Sequence, residues 1–132
     1  VSFTATFDQS VIIDGKAMMR LTSSYTEDGL LSIDPVIADS TTDQLVDLAF
    51  VRADASMIFF QSDQDVTLEF NSNVGAGGSI SLGADFPWIW HTDKEDLTLG
   101  DVITADVTAM YITNASGSTA NIKIRVLLDA VP

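Results

Sequence analysis

The chain has 132 residues, enough for one domain to bury a core unaided. Nineteen acidic against six basic residues give a formal charge of −13. That argues against a nucleic-acid binder, which needs a basic face to displace counterions, and disfavours anionic membrane surfaces. No cysteine is present, so disulfide frameworks, zinc–thiolate sites and cysteine nucleophiles are excluded. No run reaches the roughly 18 apolar residues of a bilayer span, and no basic-then-apolar leader is expected in a segment that opens as strand.

Sixteen of the acids are aspartate, a turn residue whose short carboxylate bonds nearby backbone amides. Thr and Ser fill the positions between apolar residues, as half-buried strands prefer. Val1, Phe3, Ala5 and Phe7 alternate with Ser2, Thr4 and Thr6, a one-sided strand that Asp8-Gln9-Ser10 breaks before Val11-Ile12-Ile13. Asp14-Gly15 reads as a tight turn, followed by a long segment from Lys16 to about Thr26. Leu30–Ile33 is a short strand stopped by Asp34-Pro35, residues 38–44 a polar loop, and Leu45–Val51 the next strand.

Further on, Met57–Gln61 and Val66–Asn71 read as a hairpin about Ser62–Asp65, with Val66, Leu68 and Phe70 inward. Asn73–Gly78 reads as a mobile glycine-rich loop, with short strands at Ser79–Leu82 and Trp88–His91. Asp106–Thr113 and Ala120–Leu128 are expected to pair across residues 114–118. Eight to ten short strands at this spacing specify a β-sandwich or a closed barrel, and an all-β, single-domain antiparallel sandwich over residues 1–132, with the jelly roll as one form, is the expectation.

His91 is the only histidine. No serine elbow accompanies it, so a structural role is expected and no catalytic residue is assigned. Sixteen turn aspartates make accidental carboxylate pairs inevitable, so a glycosidase pair is not assigned either. Asp63 and Asp65, and the Asp93, Glu95 and Asp96 loop, offer hard oxygen ligands. They match no calcium-loop spacing, and solvated acidic loops are expected, with no metal and no cofactor. Trp88 and Trp90 stand two apart, so on a strand they share a face. They suit the core, a protein interface or a sugar-stacking platform. Asn114-Ala115-Ser116 formally matches a glycosylation sequon.

Met57–Asn71 (MIFFQSDQDVTLEFN), Val107–Asn114 (VTAMYITN) and Asn121–Val131 (NIKIRVLLDAV) resemble small proteins encoded among tailed-bacteriophage virion genes. The resemblance covers the C-terminal half and rests on strand texture. It implies a non-enzymatic decoration (cement) protein on the outer surface of a capsid, made in the host cytoplasm and bound to the major capsid protein. A homo-oligomer, trimeric in one form, is expected. Phe3 and Phe7, on a strand free to join a neighbour's sheet, are the expected anchors, with Trp88 and Trp90 next. A carbohydrate-binding or adhesion module using the two tryptophans, or a tail or fibre component, is the alternative.

Overall fold

The computed structural model describes residues 2–92, 99 and 102–129. An antiparallel hairpin comes first, of β1 (Phe3–Ile13) and β2 (Lys16–Glu27). The body follows: β3 (Gly29–Ile33), β4 (Val36–Ile37), β5 (Thr41–Val46), β6 (Ala55–Ser62), β7 (Val66–Phe70), β8 (Ser79–Leu82), β9 (Trp88–His91), β10 (Met110–Asn114) and β11 (Ala120–Leu128). A 3₁₀ turn spans Arg52–Asp54.

The body has two sheets, β5-β10-β7-β8 and β3-β11-β6-β9, with β4 attached to β11. Two four-stranded orders of this kind, with the chain passing between them at nearly every step, make a jelly roll. The all-β sandwich expected from the sequence is therefore present.

Alternate residues of each strand fill the space between the sheets. Ile58 and Phe60 of β6 and Ile122, Ile124 and Val126 of β11 face Leu68 and Phe70 of β7 and Met110 and Ile112 of β10, all buried. The Phe60 ring lies 5.9 Å from that of Phe70 across the core and stacks at 5.6 Å on Trp88 of its own sheet. Burying an aromatic or branched aliphatic side chain contributes roughly 1.5–3 kcal/mol, so this layer is where the fold gains most.

Several pairings differ from expectation. β6 and β7 are not a hairpin, and β10 and β11 do not pair, because each couple is split between the sheets. Their apolar faces meet through the core, which produces the same period-two pattern as edge-to-edge pairing. Of the body's consecutive strands from β5 onward, only β7 and β8 pair. The strand expected at Leu45–Val51 is instead β5, Thr41–Val46, an edge strand with Asp43 at positive φ and too polar to alternate cleanly. Nor does β1 break at Asp8: beyond the body it has no core face to maintain, so polar residues are tolerated.

Residues 73–78 turn tightly against their neighbours. A Cβ on Gly77 would fall 2.1 Å from the Phe70 carbonyl oxygen, and one on Gly78 (φ +105°) 1.6 Å from that of Val102. These glycines allow close backbone approach.

The loops at one end of the jelly roll are cross-braced by short polar side chains. Asp63 accepts from the Asn121 backbone and side-chain amides at 2.8 and 2.9 Å. Asp65 accepts from the Ala84 amide at 2.7 Å, and Asp39 from that of Gly117 at 2.8 Å. Asn114 is fully buried. Its Nδ2 donates to the carbonyls of Ile37, Ala38 and Ser118, and its Oδ1 accepts from the Ser116 amide. A side chain so enclosed is no glycan acceptor in the folded protein. Asn114→Leu should leave buried carbonyls unsatisfied, at a cost of about 1–3 kcal/mol, read as a lower urea midpoint with an unchanged slope.

Candidate functional site

The hairpin stands apart from both sheets and forms an arm with two unlike faces. Thr4, Thr6, Asp8 and Ser10 share one face with Arg20, Thr22, Ser24 and Thr26, by strand alternation and register. There the Thr4 and Thr26 hydroxyls bond at 2.8 Å, and Arg20 donates to Asp8 at 3.0 and 3.3 Å. Phe3, Ala5, Phe7 and Val11 share the other face with Met19 and Tyr25.

The root of the apolar face rests on the outside of the β3-β11-β6-β9 sheet. The Tyr25 hydroxyl and His91 Nδ1 bond at 2.8 Å, and the Phe7 ring lies 5.2 Å from His91 and 5.9 Å from Tyr25. Met57 points outward from β6 yet is buried, which the covering arm explains. Ser56 donates to Glu27 at 2.5 Å, closing the root on its other strand. His91 is thus held at the arm root between Phe7 and Tyr25.

From Asp8 to Arg20 every residue is exposed. Asp8 to Ile13 alone is about 20 Å of extended chain at ~3.4 Å per residue. Asp14 and Gly15, both at positive φ, make the tight turn, as hairpin twist requires. Around it Val11 (46% exposed), Ile12 (64%), Ile13 (55%), Met18 (55%) and Met19 (47%) present apolar surface to solvent. Between arm and sheet lies an apolar cleft of about 400 Å³, lined by Ala5, Phe7, Met57, Phe59, Ile89 and the stem of Arg125 among others. The Arg125 guanidinium is occupied, donating to Asp34 at 2.9 Å and to the Ile33 and Ile124 carbonyls.

The expected anchors fall differently. Phe3 and Phe7 lie on the arm but are half-buried at its root, and Phe7 is held by Tyr25 and His91. Their strand pairs with β2. Trp88 and Trp90 share a face, but it is the inner one: Trp90 is 8% exposed, and Trp88 stacks on Phe60. As exposed partner-binding residues they are therefore corrected to core residues, and no sugar platform forms from them. The residues missed were Val11, Ile12, Ile13, Met18 and Met19. The signal was present: Val11-Ile12-Ile13 and Ala17-Met18-Met19 flank a tight turn without alternating, so apolar side chains fall on both faces at once.

The acidic loops have local work. Asp63 and Asp65 hold backbone amides, as described. The loop of Asp93, Glu95 and Asp96 lies outside the described residues. Glu27, Asp28 and Asp129 place carboxylate oxygens within 4.8 Å of one another at the arm root, where Glu27 already accepts from Ser56. A further recess of about 610 Å³ is open and of mixed character, lined by Asp65, Val66, Thr67, Ser81, Leu82 and Thr113 among others. No aromatic residue lines it. Compared with known protein families, curated proteins and solved structures, the chain matches none.

Two carboxyls titrate in opposite senses. The bonds from Asn121 hold the Asp63 carboxyl below the usual aspartate range. Partial burial, and then Asp43 beside it, push the Glu69 carboxyl up against the opposing Gly75 amide. Asp63 therefore stabilises the fold above the ordinary aspartate range, and this is lost as pH falls through its lowered value. Glu69 favours the fold when protonated, an advantage lost as pH rises through its raised value. Asp63→Asn should lower the neutral-pH urea midpoint and Glu69→Gln should raise it, both differences shrinking towards zero in acid.

The Tyr25–His91 bond makes a second prediction. Tyr25→Phe removes a hydrogen bond worth about 0.5–1.5 kcal/mol while keeping the ring contacts. Amide exchange should speed up in β1 and β2 and stay unchanged in β6 and β11. Equal acceleration in all four strands would mean that the arm is part of the body's cooperative unit.

Proposed function

We propose that this protein is a non-enzymatic structural component of a viral shell, a decoration protein that sits on the outer surface of a tailed-phage capsid and bridges neighbouring subunits. The observation that carries this reading is the arm, whose end leaves five large apolar side chains in solvent. An isolated two-stranded hairpin is marginal in water, and exposed apolar patches rimmed by polar residues mark interaction surfaces. A bridging protein needs such an element, because the contact that links subunits must reach beyond its own footprint.

The jelly roll supports the reading without deciding it, since that architecture serves viral capsids and lectins alike. The charge of −13 is compatible with an external ornament, which meets no genome and gains solubility from repulsion before assembly. Attachment to the major capsid protein then rests on apolar contacts repeated over a symmetric lattice, where many weak contacts become avid. The adhesion alternative loses its exposed tryptophan pair.

Co-sedimentation with capsid shells lacking the protein tests the proposal. The full chain is expected to pellet with the shells, and a variant with Ile12→Ser, Ile13→Ser and Met18→Ser is expected to bind at least tenfold more weakly with unchanged melting. Failure of the unmodified chain to bind shells of any capsid encoded beside it would overturn the reading.

A further inference from the structure

We infer that Asp14 is a self-modification site: its carboxyl and the Gly15 amide condense and reopen as isoaspartate, so that the arm end carries a chemical record of its age. The sequence holds two Asp-Gly pairs, Asp14-Gly15 and Asp28-Gly29. Glycine after the acid makes both candidates, because no Cβ hinders the attacking amide nitrogen. The fold treats the two pairs oppositely.

In the closing step the Gly15 nitrogen attacks Asp14 Cγ. A C–N bond forms, the carboxyl C–O bond breaks, and the amide proton leaves with the hydroxyl as water. The product is a five-membered succinimide. Water then adds back at one of its two carbonyls. Attack at the former backbone carbonyl leaves the chain running through Asp14 Cβ and Cγ, which is isoaspartate; attack at the other restores aspartate. The water lost is regained, so the mass is unchanged and no co-reactant is needed.

Asp14 is exposed, and its carboxyl bonds no described residue. The β1–β2 ladder stops at Ile13 and Lys16, which leaves the Gly15 amide outside it, and the space a Gly15 Cβ would meet is empty out to 4 Å. Closure requires Asp14 to leave its left-handed conformation (φ 50°). The arm end permits this, because residues 8–20 are all exposed and a two-stranded ribbon without a covering layer opens readily. Asp28 is half-buried, and its carboxylate is gathered with those of Glu27 and Asp129 within 4.8 Å. Gly29 begins β3 and pairs with Leu128 of β11, so closure there would strip an edge strand from the body. Isoaspartate at position 14 adds one atom to the main chain of a two-residue turn. Turn length sets hairpin register, so the change disturbs the pairing of Ile12 with Ala17 and of Val11 with Met19.

Trypsin separates the two pairs, because Lys16, Arg20 and Arg52 put Asp14 in peptide 1–16 and Asp28 in peptide 21–52. The full chain, folded or unfolded in guanidinium chloride, is stored warm in mildly acidic buffer, where more of each carboxyl carries the proton its leaving hydroxyl needs. Isoaspartate is read as a second peak of equal mass, and fragmentation locates it. In the unfolded chain both pairs are expected to convert at similar rates. In the folded chain Asp14 should stay within about tenfold of its unfolded rate, while Asp28 slows by about a hundredfold or more. Asp14→Glu, whose ring would need a sixth member, should abolish the second peak of peptide 1–16. Folding that slows Asp14 as much as Asp28 means that the turn locks the aspartate, and overturns the inference. Equal conversion of both pairs in the folded chain, or a second peak that survives Asp14→Glu, overturns it as well.

Discussion

Burial of one apolar face from each sheet, with Phe60 set against Phe70, is the contact on which the rest of the molecule depends. The core is two side chains thick, and each sheet has only one face to give it. Passing from sheet to sheet lets successive strands contribute to that layer from opposite sides. The cost appears at the ends, where each crossing exposes a loop whose backbone groups have left the ladders and need partners.

That cost explains the aspartates. Asp39, Asp63 and Asp65 accept backbone amides of loops distant in sequence, and Asn114 gathers three carbonyls in a site closed to water. A glutamate's extra methylene adds rotamer freedom that such a brace must then lose. The acidity of the chain is therefore partly a consequence of its architecture: many crossings need many short acceptors, and net charge accumulates with them.

Strand existence and inward faces were legible in the sequence because alternation is local. Val66, Leu68 and Phe70 face inward as read, and Trp88–His91 and Ala120–Leu128 have the bounds expected. Pairing was not legible. A strand whose apolar face meets its successor through the core has the same pattern as one that meets it edge to edge, so β6–β7 and β10–β11 were misassigned for one physical reason. The arm end was missed for another. Alternation marks burial against the chain's own core, and Val11-Ile12-Ile13 does not alternate because its surroundings are not that core. Departure from the period beside a hairpin turn was the readable trace of an apolar segment that stands clear of the core.

The arm follows from the same geometry. Both faces of β1 and β2 would have to change character for the hairpin to join either sheet, because its polar face carries the Asp8–Arg20 pair and the threonine ladder. It is held instead at its root by Tyr25, His91 and Phe7, a contact of a few side chains against the many that hold the body. Such an element opens more readily than a core strand. Its position is therefore set by the contact of its root with its own sheet. A receiving surface that covers Val11 and Met19 also lowers the free energy of the docked root, because both sit on one rigid ladder of backbone hydrogen bonds. An association that withdrew this apolar area from water would, by mass action, stabilise the arm that makes it.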